Sequence, residues 1–293
     1  MELNSENEDM EKDIPDAIKI KVSSFPSMPR AAIKLRQLLA KEDVAMDDIE
    51  AILRHDPGLA TNVLRLANSA FFGVPKKVET LKQAVMLLGI KRFAQIAVSA
   101  SMSKTMDKAV EGYGLSAGEL WLHSIAASNT AEALARHKKL TQTDDVFTPA
   151  LLHDMGKLVL GKFVKEERQN IERIMSTGVT LDAAEQMVLE TDHAEIGALI
   201  LAKWSFPDNI VNAVRWHHNP DGNQNPTTKS DITYLSNLIC QSSGDDRDLS
   251  ERAPGIPSLA VLDRLGIKLD QYELIAAEAQ NWIINLTQKL SFD

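Results

Sequence analysis

Histidine and carboxylate residues recur in this chain at spacings that suit metal chemistry. There are seven histidines: His55, His123, His137, His153, His193, His217 and His218. His153-Asp154 stands inside Leu151-Leu152-His153-Asp154-Met155-Gly156-Lys157. A neighbouring histidine and carboxylate at a helix end, followed by glycine, can aim two ligands at one ion. Glu119 and His123 are four residues apart, on one face of a helix. His193 opens an amphipathic stretch, and His217-His218 closes another. Adjacent helical residues point about 100° apart. His217 and His218 therefore take different roles, at one ion and its surroundings or at two ions. Singly, each residue has an ordinary structural explanation. Together, five histidines and two carboxylates within about 100 residues predict a metal centre. His/Asp/Glu ligation suits Fe, Mn, Zn or Ni rather than Ca or Mg. A carboxylate flanked by histidines also suits a pair of ions about 3.5–4 Å apart. His55-Asp56 reads the same as text but precedes Pro57-Gly58, where Asp56 serves a turn and His55 is structural.

The elements that must position these residues are helical throughout. Ala32, Leu35, Leu38 and Leu39 share a face, as do Leu59, Val63, Leu66, Ala67 and Ala70. Leu81, Ala84, Val85 and Leu88 form another stripe, and residues 91–106 are apolar enough on most faces for a buried helix. Further helices are predicted at 118–137, 145–160, 166–176, 181–190, 193–204, 207–218 and 231–242. A final helix carries Ile275, Ala279, Trp282, Ile283, Leu286 and Leu290 on one side. Asp192 with Glu195, and Asp270 with Glu273, have the form of capping boxes. No alternating strand and no internal repeat is evident, so the chain is all-α. The predicted organisation is a disordered acidic leader over 1–21, a helical lobe over 22–112, a histidine-bearing core over 113–242 and a helical extension over 243–293. The two larger parts should pack together and leave an interaction groove between them. Phe71-Phe72-Gly73 is a loop either buried or offered to a partner. Asn68 is expected to need buried hydrogen-bond partners.

Composition narrows the classes. Lys and Arg number 32 against 41 acids, a net charge of −9. Residues 1–16 hold seven acids and one lysine, so −6 of this sits in the leader and the body is near −3. Such a body has no strong electrostatic reason to bind nucleic acid. Nothing resembles a membrane span or a signal peptide. A single cysteine, Cys240, rules out an internal disulfide and fits a cytoplasmic location; on its apolar helix it reads as a small buried hydrophobe.

The order His123, His153-Asp154 with Lys157, His193, then His217-His218 resembles the HD superfamily of metal-dependent phosphohydrolases. The surrounding residues are most similar to its HDOD (HD-related output domain) branch. The likeness rests on Pro26-Ser27-Met28-Pro29, Asp56-Pro57-Gly58-Leu59, Leu64 to Gly73, Ala84 to Gly89 and Trp121-Leu122-His123-Ser124, then on Asp192 to Ala198 and Trp204-Ser205-Phe206-Pro207. It implies a multi-helix HD-like bundle with an N-terminal helical lobe. It also implies a bacterial signal-transduction output module without catalysis, with one or two divalent transition-metal ions and a protein partner from a signalling pathway. The implied ligands are His123, His153, Asp154, His193, His217 and His218, with Glu119 and Asn237 as further candidates. Two other readings stay open. One is a metal-dependent phosphodiesterase or phosphohydrolase acting on a cyclic dinucleotide or other phosphoester, in which Asp154 bridges and Lys157 faces the phosphate. The other is an interaction domain with no ion. Two departures weigh against the phosphodiesterase. Asn237 stands where catalytic relatives carry an aspartate, and Asp221-Gly222 is followed by Asn223-Gln224-Asn225-Pro226 in place of a Gly-Tyr-Pro loop.

Overall fold

A computed structural model describes residues 14–39, 45–54, 56–68, 77–138, 146–241 and 256–290. The helices are α1 (Asp16–Ser23), α2 (Arg30–Leu39), α3 (Met46–Arg54), α4 (Pro57–Ala67), α5 (Leu81–Leu88) and α6 (Ile90–Met106) in the first half. Then come α7 (Glu119–His137), α8 (Phe147–Leu152), α9 (Lys157–Glu166), α10 (Arg168–Met175), α11 (Leu181–Leu189), α12 (His193–Lys203), α13 (Asp208–Arg215), α14 (Thr228–Gln241), α15 (Leu259–Leu265) and α16 (Leu269–Leu290). Among the described residues the only extended pairing is an isolated bridge between Val110 and Leu115. The all-α fold follows from the 3.6-residue stripes.

One apolar cluster runs from Ile14 to Val214, so the N-terminal helices and the histidine-bearing half share a core. The long α6 is its axis, buried over most of its circumference. Helices α2, α4 and α5 pack on one side of α6, and α7 and α8 on another. Polar ties reinforce the junction. Lys203 Nζ donates to the carbonyls of Val22, Ser23 and Phe25 at 3.1, 2.5 and 3.1 Å. Arg36 Nη1 donates to Ser205 O at 2.8 Å, and Trp204 Nε1 to Pro26 O at 3.0 Å. A second cluster, with Leu134, Ile232, Leu235, Leu262 and Ile275, joins α15 and α16 to α7 and α14. Arg264 anchors it with a two-pronged contact to Asp231 at 2.7 and 2.9 Å.

The structure corrects several expectations. The sequence predicts a disordered leader over 1–21, and its described part departs from that: Asp16–Ser23 is a helix with Ile14, Ile18 and Val22 in the core. Three apolar residues at i, i+4 and i+8 suffice there, although lysines and acids dilute the pattern. Residues 1–13, His55 and the Phe71-Phe72-Gly73 loop lie outside the described residues, as do the side chains from Trp282 to Leu290. The 145–160 helix is broken into α8 and α9 by the turn 153–156. The Asp192/Glu195 capping box is half made. Asp192 accepts from Glu195 N–H at 2.8 Å, but the Glu195 carboxylate turns to Arg215 at 2.7 and 3.1 Å. Asp270 instead accepts from Gln271 N–H. Asp56 caps α4 by accepting from Leu59 N–H at 2.9 Å, and Asn68 meets Leu64 O and both backbone groups of Val78 at 2.7–2.9 Å.

Candidate metal centre

Two glycines bring the histidines together. The 153–156 turn lies directly on the first turns of α12. A Cβ on Gly156 would sit 1.9 Å from the carbonyl oxygen of His193. Gly197, one turn further on, presses against His153 O and Gly156 N in return. Backbone touches backbone here, so His153-Asp154 and His193 share one space. Helix α7 contributes His123, the end of α13 contributes His217 and His218, and α14 contributes Asn237.

Asp154 stands at the middle. It is fully buried and has one oxygen toward each group of histidines. Its Oδ2 lies 3.3 Å from His153 Nε2 and 3.5 Å from His123 Nε2, and accepts from Lys157 Nζ at 2.8 Å. Its Oδ1 lies 3.5 Å from His193 Nε2 and 3.7 Å from His217 Nε2. The donor atoms form two sets, His123/His153/Asp154 and Asp154/His193/His217/His218, each within 4.8 Å. Asn237 Oδ1 joins the first set, 3.1 Å from His123 Nε2.

The outer hydrogen bonds orient the rings. Carbonyl and carboxylate oxygens only accept, so the nitrogen facing them carries the proton. His153 Nδ1–H donates to Ala150 O at 2.7 Å, His217 Nδ1–H to Val214 O at 2.6 Å and His193 Nδ1–H to Glu185 at 2.6 Å. In the neutral form of each ring the Nε2 lone pair then points inward. His193 Nε2 and His218 Nε2 are 2.7 Å apart, a spacing two lone pairs do not tolerate without a proton or cation between them. Asp154 Oδ1 and His217 Nε2 are buried without a hydrogen-bond partner. Such groups are costly unless something completes them.

Electrostatics keep His217, His218 and Asp154 available as donors but favour a second proton on His193, which an ion would have to displace. Burial, with the neighbouring histidines, pushes His217 well below the ordinary imidazole range, and burial and His193 do the same to His218. Burial resists the Asp154 charge, but His153 and Lys157 outweigh it and hold the carboxyl well below its usual range. Burial also opposes the His193 cation, yet Glu185 lifts it above the ordinary value.

Glu185 was not anticipated from the sequence. Fully buried on α11, it accepts from His193 N–H at 2.9 Å and from Tyr113 O–H at 2.6 Å, besides the ring. Burial and Glu185 raise Tyr113 far above its usual range, so it stays a neutral donor. Glu119, a candidate ligand from its i, i+4 spacing, is not drawn in. It sits exposed in the first turn of α7, where its carboxylate accepts from Ser116 N–H at 2.6 Å. Lys157 is buried and bound to Asp154. A cleft of about 610 Å³ opens onto His217, His218 and Asn237, with Tyr234, Glu172 and Asp182 also on its walls.

The HDOD domain profile matches residues 25–220, two thirds of the chain. The chain belongs to the HDOD domain family. An HDOD domain protein of unknown function from Geobacter sulfurreducens superposes with a TM-score of 0.74 at 18% identity, covering 98% of this chain and 97% of that one. A candidate signal transduction protein from Marinobacter aquaeolei gives 0.73 at 20% identity, over 94% of this chain and 65% of its own. A candidate phosphohydrolase from Shewanella amazonensis gives 0.69 at 22%, over 94% and 98%. An uncharacterized protein of Treponema pallidum is 24% identical over 205 residues, 69% of this chain but only 39% of that longer protein. HDOD likeness at these identities speaks for the fold. No described helix is long and apolar enough to cross a membrane.

Proposed function

We propose that this HDOD protein is a signal-transduction output module that holds one or two divalent transition-metal ions and works by binding a partner rather than by turnover. The observation that carries the metal reading is the convergence of inward Nε2 lone pairs on a buried carboxylate, with Asp154 Oδ1 and His217 Nε2 lacking any other partner. His193, His217, His218 and Asp154 Oδ1 would hold one ion. His123, His153, Asp154 Oδ2 and Asn237 would hold the other. N/O donors of this kind suit Fe, Mn, Zn or Ni.

Against turnover stand Lys157 and the cleft. Lys157 spends its charge on Asp154 at 2.8 Å. Among the described residues no lysine or arginine lines the cleft, which instead carries Glu172 and Asp182. Asn237 adds no charge. The name of the Marinobacter relative agrees with a signalling role.

The second reading, a phosphodiesterase or phosphohydrolase, is favoured by one observation: the cleft opens directly onto His217, His218 and Asn237. A bound ion would supply a Lewis acid that polarises a phosphoryl oxygen. The chain's part would be to seat the phosphoester against Tyr234 and to keep Asp154 charged through Lys157. Metal-replete protein offered bis(4-nitrophenyl) phosphate and a cyclic dinucleotide separates the readings. The output-module reading expects bound metal and no turnover above buffer. Turnover that disappears in His218→Gln would replace it with the enzymatic one.

A further inference from the structure

A groove of about 600 Å³, away from the histidine centre, lies where the ends of α1 and α6 meet α9. Small-molecule sites commonly have this size. Its walls bring together Lys21, Lys108, Lys162 and Lys165 with one acid, Glu111. Glu111 pairs with Lys165, and Lys162 lies 3.7 Å from Glu166. Neither Lys21 nor Lys108 has an acidic partner among the described residues. Four lysines against Glu111 on the wall and Glu166 beside Lys162 leave an excess of two positive charges, on a chain whose net charge is −9. Gathering them on one concave face costs repulsion that an anionic ligand would relieve.

The floor is apolar and firmly set. Phe25 lies there with its ring 5.9 Å from that of Trp204, beside Leu158. Gly112 backs onto α9 so closely that a Cβ would lie 2.0 Å from Gly161 O. Lysine ammonium groups suit phosphate as point charges, and the aromatic and aliphatic floor suits an uncharged body. An extended polyanion would need basic surface beyond the groove, which the chain's net charge argues against. We propose that this groove is a second ligand site, taking a phosphorylated small molecule with an apolar or aromatic body, of the nucleotide class. The turn that supplies Glu111 to the groove also supplies Tyr113 to Glu185, so the two sites are joined through a single turn.

The test is calorimetric titration of the full chain in EDTA with ADP, and separately with inorganic pyrophosphate. Saturable 1:1 binding of ADP is expected, weakening as salt rises. Lys108→Glu/Lys162→Glu should weaken it by about tenfold or more through charge reversal. Lys108→Gln/Lys162→Gln serves as a milder pair should the first unfold, and Lys34→Gln/Lys268→Gln, two exposed lysines outside the groove, should bind ADP as the native chain does. Pyrophosphate should bind more weakly than ADP. No saturable binding of either probe, unchanged affinity in both groove double variants, or an equal loss of affinity in Lys34→Gln/Lys268→Gln would overturn the proposal. Pyrophosphate binding as tightly as ADP would overturn its apolar-body part.

Discussion

Glu185 illustrates what a residue's surroundings add to its type. Its carboxylate takes the Nδ1 proton of His193 and leaves Nε2 facing inward. Removing such an outer partner from a metal-ligating histidine lowers metal affinity by about 10–100-fold. We expect Glu185→Gln to melt close to the native temperature but to lose metal within that range in competition with a fluorescent chelator. Native affinity in the variant would make Glu185 merely structural. The histidines themselves were legible because few roles suit five of them in one stretch. Glu185 was not, since a glutamate on an amphipathic helix looks like any solvated residue. Its meaning comes from the chain doubling back so that α11 lies against the start of α12. Glu119 failed for the opposite reason: its spacing was right, but the helix begins at that residue and its carboxylate turns to Ser116.

At the scale of elements, most helices were readable from their stripes, and the misreadings fall at breaks. The 145–160 pattern is apolar throughout, so nothing in its period reveals the turn that presents His153-Asp154. Gly156 is the residue that permits it. Gly156→Ala would place a methyl group 1.9 Å from His193 O, against backbone that cannot yield cheaply. A loss of about 2–4 kcal/mol in urea melts is expected, with weakened metal binding; a change under about 0.5 kcal/mol would mean the two backbones can part. Asp192, which caps α12, sets a pH signature. Burial, with Glu185 and Asp182 nearby, raises its carboxyl to about 6. Between about pH 4 and 6 the folded chain therefore keeps a proton that the unfolded chain has released, and this residue's contribution to stability falls as pH rises. Asp192→Asn preserves a capping side chain without the titration. In EDTA, its stability relative to the native protein should improve from pH 4.5 to 7.5. A difference that does not change with pH would contradict the assignment.

Across the whole molecule, the joining of the two halves was expected, but the groups that join them were not visible in sequence. In the sequence Lys91-Arg92 reads as an ordinary solvated basic pair. In the fold it links α6 to α7 through Glu132, which is buried, and donates to Asn129 at 2.5 Å. Partners 37 and 40 residues away leave no local pattern. Breaking a buried pair from one side strands the other charge, at a cost of about 3–5 kcal/mol. Glu132 is 4% exposed and Arg92 22%, and Arg136 Nη1 also lies 3.7 Å from Glu132, so the cost falls below that range. Arg92→Met should lose about 1–2 kcal/mol in denaturant melts, and Arg92→Met/Glu132→Leu should recover part of it. Equal losses in the single and double variants would show that packing, not charge, holds the halves together.

The central claim is that Asp154 and its histidines hold metal. It is tested most directly by elemental analysis of protein purified without chelators or a metal-affinity step, with Asp154→Ala and Asp56→Ala alongside. Native protein should carry about one or two ions per chain, and Asp154→Ala should lose most of them. Asp56→Ala should keep them and lose only its helix cap, about 1 kcal/mol of stability. Metal below about 0.2 per chain in the native protein, or equal loss in both variants, would contradict the account.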